Sequence, residues 1–125
     1  MNDELTRAYI IDLYQNPLNY GKLEDFNFSK KGENPLCGDS VTIYMKIIKN
    51  KIENISFEAQ GCIISNVSAS ILMKEVKGMS IESFNENFQF DIIKEKLLIQ
   101  LTPSREKCAR LSFDILVSLL KENNI

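Results

Sequence analysis

The chain has 125 residues with no histidine, no tryptophan and three cysteines. The missing histidine removes every Ser-His or Cys-His catalytic pair and every histidine-rich zinc site, leaving thiolates and carboxylates as metal ligands. No Cys-x-x-Cys pair is present, so the zinc-ribbon pattern is absent as well. Nor is there an excess of either charge. Fifteen basic against 17 acidic residues leave a net charge of −2, which argues against a nucleic-acid module or a polybasic membrane binder. No segment approaches the roughly 18 uncharged apolar residues of a membrane span. The start, Met1 to Arg7, carries Asp3 and Glu4 before any apolar run, unlike a signal peptide. The expectation is a cytoplasmic protein, where thiols stay reduced and cysteines serve metal binding or reactivity rather than cross-linking.

A chain this long buries roughly two thirds of the surface it exposes when unfolded, so a metal is not needed simply to hold a core together. Asp3 to Tyr14 has the apolar spacing of a loosely amphipathic helix, with Leu5, Ala8, Tyr9, Ile11 and Leu13, stopped by Asn16-Pro17. Leu18 to Pro35 is rich in Gly and Asn and reads as mostly loop, with a short extended piece near Phe26 and Phe28. Val41, Ile43, Met45 and Ile47 alternate with their neighbours as one strand, and Ile55, Phe57 and Ala59 as a second, joined by a turn at Lys49-Asn50-Lys51 and ended by Gly61. Helical spacing follows Cys62 as far as Gly78, with Ser65, Ser68, Ala69 and Ser70 keeping one face narrow. Ser80 caps a short helix, Asp91 to Leu101 adds an amphipathic turn or two, and Thr102-Pro103-Ser104 precedes a strong final helix carrying Cys108 in its first turn. The expected fold is one α+β domain spanning 1–125, a small antiparallel sheet of two or three strands covered by helices.

Each cysteine falls at a junction. Cys37 precedes the first long strand, Cys62 stands where strand passes to helix, and Cys108 lies near the start of the last helix. A hairpin brings the start of its first strand beside the end of its second, so Cys37 and Cys62 can meet. Taken singly, each could be a small buried hydrophobe; together they suggest a shared site. Helix N-termini favour thiolate, which binds metal and attacks sulfur. Without histidine the natural fourth donor is Asp39, two residues from Cys37 across Gly38. Such sulfur-rich sites favour zinc or iron–sulfur centres over calcium or magnesium.

Five blocks in order resemble the U-type iron–sulfur cluster assembly proteins, the family of IscU, SufU and the N-terminal domain of NifU. They are Tyr14-Gln15-Asn16-Pro17-Leu18-Asn19-Tyr20-Gly21, Asn34-Pro35-Leu36-Cys37-Gly38-Asp39, Gly61-Cys62-Ile63-Ile64-Ser65 with Ser68-Ala69-Ser70, Val76-Lys77-Gly78, and Arg105-Glu106-Lys107-Cys108-Ala109-Arg110-Leu111. The resemblance implies an α+β fold that binds Zn2+ or a [2Fe–2S] cluster on Cys37, Asp39, Cys62 and Cys108. It also implies sulfur received from a cysteine desulfurase. Isc-type members place a histidine immediately before the third cysteine. Here Lys107 stands there, a poor ligand because its ammonium repels a cation, which leaves Asp39 as fourth donor. The Arg105 to Cys108 block is similar to SufU, yet the 45 residues between Cys62 and Cys108 leave no room for the usual SufU insertion. The Isc-type Leu-Pro-Pro-Val-Lys chaperone motif is not reproduced by Leu101-Thr102-Pro103-Ser104-Arg105.

Three functions follow as expectations. The first is a non-enzymatic scaffold that accepts persulfide sulfur from a pyridoxal-phosphate cysteine desulfurase on Cys37 or Cys108, assembles a [2Fe–2S] cluster, and passes it to acceptor proteins, with no nucleic-acid or membrane partner. The second is a zinc-bound sulfurtransferase in which Arg105 pairs with Asp39 after ligand exchange. The third is a domain with structural zinc alone, in which the cysteines would be required for folding.

Overall fold

The computed structural model describes residues 3–35 and 38–125. The element order is α1 (Asp3–Gln15), β1 (Phe28–Asn34), β2 (Asp39–Ile48), β3 (Lys51–Gln60), α2 (Ile63–Val76), α3 (Ile81–Asn87), α4 (Phe90–Leu97) and α5 (Pro103–Glu122). The strands form one antiparallel sheet in the order β1-β2-β3. Along β2, Asp39, Val41, Ile43 and Met45 are buried while the residues between them are partly exposed. That alternation puts one face of the sheet inward. Beneath it, α5 packs along β1 and α2 along β3, and the two helices pack on each other. The expected α+β layer is therefore the observed one, with three strands.

The hairpin turn is the two-residue loop Lys49-Asn50. Both residues have positive φ, 51° and 61°, the combination that matches the twist of paired strands. The register places Lys46 opposite Asn54 but Ile47 opposite Ile52, so Glu53 is the extra residue of a bulge. The bulge lets Ile52 and Ile55, three apart, both reach the core. On its other edge β3 is covered by Asn19 and Gly21, which exchange backbone hydrogen bonds with Phe57, and by Met79 and Gly78, which do so with Ile52. This leaves β3 with few open sites for pairing with another chain.

Two expectations need correction. The segment before Pro35 contains a full strand, β1, where mostly loop was expected. Its inward positions are Phe28, Lys30, Gly32 and Asn34, so the alternation is geometric without being hydrophobic. Gly32 belongs there because Ile115 of α5 occupies the space of its side chain: a Cβ would lie 2.6 Å from Ile115 Cγ1. In α1 the buried stripe is Thr6, Ile10 and Leu13, while Leu5, Tyr9 and Ile11 face outward. The helix docks against α2 through fewer apolar residues than its sequence offers. The cap expected at Ser80 is present, and Thr102 supplies a second one that was not expected. Ser80 accepts from Ser83 N at the start of α3, and Thr102 from Arg105 N at the start of α5, each satisfying an amide that the helix leaves unpaired. Among the described residues no helix is long and apolar enough to cross a membrane.

The β1–α5 contact can be tested by overpacking it. Gly32→Val is expected to lower the unfolding free energy by about 1–3 kcal/mol in urea titrations, the usual cost of extra methyl groups in a packed interior. Adding Ile115→Ala should recover part of the loss.

Candidate functional site

β2 begins where β3 ends, since Ser40 pairs with Gln60. The chain then turns at Gly61 into α2. Asp39, first residue of β2, is 1% exposed, a burial that a carboxylate tolerates only with partners. It has them. Cys62 N–H donates to Oδ1 at 2.9 Å and Ser65 Oγ–H to Oδ2 at 2.7 Å. Burial pushes the Asp39 pKa up, but the Ser65 hydroxyl, the Cys62 amide and the Cys108 and Cys62 thiols together pull it below its ordinary value.

Gly61 makes room for the carboxylate. Its φ is +128°, and a Cβ there would overlap the Asp39 side chain and lie 2.9 Å from its Cα. Cys62 is the N-cap of α2, in extended conformation and with no side-chain capping bond, so its sulfur is left for other work. The thiol is half-buried.

Cys108 reaches the same place from α5 and is 5% exposed. It lies in the second turn of that helix, since α5 begins at Pro103. The expectation that it stands among the unpaired amides of a helix start is therefore corrected; the field of a helix end falls off within its first turn. What fixes Cys108 is the contact between α2 and α5. Ser65 Oγ lies 3.3 Å from the Cys108 carbonyl, and Ser68 Oγ donates to the next carbonyl, that of Ala109. Asn34 Nδ2 approaches Cys108 Sγ at 3.9 Å. The narrow face of α2 thus serves close approach to the α5 backbone.

One ligand atom each from Asp39, Cys62 and Cys108 lie within 4.8 Å of one another. Donors around a tetrahedral ion with Zn–S bonds of about 2.3 Å are separated by about 3.8 Å, so side-chain adjustments of about 1 Å would close the set on a cation. Two sulfurs and one carboxylate suit zinc or iron and not calcium or magnesium. Cys37, the remaining expected ligand, lies outside the described residues. Lys107 is exposed. Arg105, also exposed, lines a groove with Arg7 and Ile63, and among the described residues it forms no ion pair with Asp39. Sequence reasoning missed Gly61 and Ser65 as parts of the site. The signal was a glycine before the N-cap and a hydroxyl three residues after it, where a helix start can use one.

The family model described as the NifU-like N-terminal domain matches residues 5–122. The chain belongs to this family. A relative from Bacillus subtilis, named zinc-dependent sulfurtransferase SufU, is 32% identical and covers 91% of this chain and 88% of its own. Another from Thermotoga maritima, named iron–sulfur cluster assembly scaffold protein IscU, is also 32% identical, covering 82% of each chain. The crystal structure of FiSufU from Fervidobacterium islandicum AW-1 superposes with a TM-score of 0.77 at 24% identity, covering 95% of this chain and 99% of that one; that likeness concerns the fold.

The cradle at Gly61 makes a specific prediction. Gly61→Ala should destabilise chelator-treated protein by about 1–3 kcal/mol through strain and overlap, and speed hydrogen exchange at the Cys62 amide as its acceptor is displaced. Gly78→Ala, at φ +87° with nothing within 4 Å of the new Cβ, should cost only the backbone strain and leave the Cys62 amide unchanged.

Proposed function

We propose that residues 1–125 act as a single scaffold domain for iron–sulfur cluster assembly, with Cys37, Asp39, Cys62 and Cys108 holding the metal. The observation that carries this reading is the convergence of Asp39, Cys62 and Cys108 within 4.8 Å from three separate elements.

Sulfur arrives from a pyridoxal-phosphate cysteine desulfurase bearing a cysteine persulfide. The thiolate of Cys37 or Cys108 attacks the outer sulfur, a new S–S bond forms, and the desulfurase cysteine leaves as thiolate. Each sulfur transferred then needs two electrons, from a thiol or a low-potential electron donor, to become sulfide. Ferrous iron and sulfide are the substrates of assembly and the [2Fe–2S] cluster is the cargo handed to acceptor proteins. Asp39 binds iron less tightly than a thiolate would, which keeps the cargo transferable. Its carboxylate is already ionised and oriented by Cys62 and Ser65, so it is ready to coordinate without reorganisation.

A second reading has specific support in the SufU-like Arg105 to Cys108 block and in the Bacillus subtilis relative, which is named a zinc-dependent sulfurtransferase. Here zinc is a resident ion held by the same residues; it would keep the thiolates ionised and protected until a desulfurase docks. The donor set fits this ion as well. In this reading Arg105, which is exposed and lines a groove with Ile63, would take up the carboxylate released by ligand exchange.

Anaerobic incubation with ferrous iron, cysteine and a desulfurase separates the two. The scaffold reading expects sulfide-to-iron charge-transfer absorption and a cluster that passes to an apo-ferredoxin. Asp39→Ala should slow that transfer about tenfold, the scale on which metal sites respond to losing one oriented carboxylate. Faster desulfurase turnover without a transferable cluster would decide for the zinc reading, and neither effect would overturn both.

A further inference from the structure

We propose that Ser65 is a positioning residue that holds Asp39 as a metal ligand. This inference rests on the reading of Asp39 as a ligand. The Ser65 side chain is 1% exposed and its hydroxyl touches every described member of the site. It lies 2.7 Å from Asp39 Oδ2, 3.3 Å from the Cys108 carbonyl oxygen and 3.9 Å from Cys62 Sγ.

A hydroxyl carries a single proton to donate. The shorter distance gives that proton to Asp39, where a charge-assisted bond is the stronger choice. With Cys62 N–H on Oδ1 and Ser65 on Oδ2, both oxygens are fixed while each keeps a lone pair for a cation. The carboxylate therefore cannot swing away unless both donors let go. The Cys108 carbonyl gives the Ser65 proton a second acceptor on the other side. With no metal bound the Ser65–Asp39 bond is already made, so the carboxylate is oriented before a cation arrives. Ser65 thus secures the oxygen ligand.

Zinc affinity, measured by competition with a chromophoric chelator, tests this in a double-mutant cycle of Ser65→Ala, Asp39→Ala and the pair. Ser65→Ala is expected to weaken zinc binding about tenfold when Asp39 is present, the range typical of orienting partners, and to add nothing when Asp39 is absent. Cobalt-substituted Ser65→Ala protein should show shifted d–d bands with unchanged thiolate-to-cobalt charge-transfer intensity, because the sulfurs remain bound. Ser65→Thr, which keeps the hydroxyl, should bind zinc like the parent chain, with far-ultraviolet circular dichroism verifying the fold of each chelated variant. If Asp39→Ala weakens binding but Ser65→Ala does not, the role given to Ser65 falls and the ligand reading stands. A loss from Ser65→Ala that is equally large without Asp39, or a threonine variant as weak as the alanine one, also overturns it. If Asp39→Ala itself leaves affinity unchanged, the ligand reading falls.

Discussion

A buried carboxylate at the start of a strand needs donors, and Asp39 finds them in the first turn of the following helix. The bonds from Cys62 N–H and Ser65 Oγ–H tie the beginning of β2 to the beginning of α2, closing the hairpin's open end. Everything else at the site depends on that tie. It requires a glycine at position 61, because a Cβ would occupy the carboxylate's place. It sets Cys62 at the N-cap with its sulfur free of any capping bond. It also places Ser65 where its hydroxyl meets the Cys108 carbonyl, which brings the third element to the same point.

The rest of the fold supplies a rigid frame. Fully buried Ile43, Phe57, Leu72 and Leu116 come from β2, β3, α2 and α5, so the elements that carry the described site residues share one core. Interiors of that density resist gradual deformation. The site is consequently preorganised at its protein side, and the adjustments needed to close around a cation fall on side chains at the edge. Asp39 is held ionised before any cation arrives. An ionised, hydrogen-bonded carboxylate needs no deprotonation before it can meet a cation.

Much of this was legible in the sequence. The alternation in β2, the helical spacing after Cys62 and the cap at Ser80 follow from local periodicity and turn chemistry, which act over a few residues. The junction placement of the cysteines suggested a shared site, and the described Asp39, Cys62 and Cys108 do come within 4.8 Å of one another. β1 was not legible because its inward residues, Phe28, Lys30, Gly32 and Asn34, are selected by the helix beneath them and not by hydrophobicity. The setting of Cys108 was misjudged by one helical turn, since Pro103 starts α5 earlier in relation to it than expected. Ser65 was seen as a small residue permitting close approach; that its hydroxyl faces Asp39 depends on how β2 and α2 meet, a tertiary fact without a local sign.

The most direct test of the central claim is X-ray absorption fine structure at the zinc edge of the metal-loaded protein. The predicted first shell mixes sulfur at about 2.3 Å with one oxygen at about 2.0–2.2 Å, and Asp39→Ala removes the protein oxygen while the sulfur distances persist. A shell of nitrogen and oxygen alone, or a spectrum in which loss of Cys62 and Cys108 removes no sulfur scattering, would contradict the account.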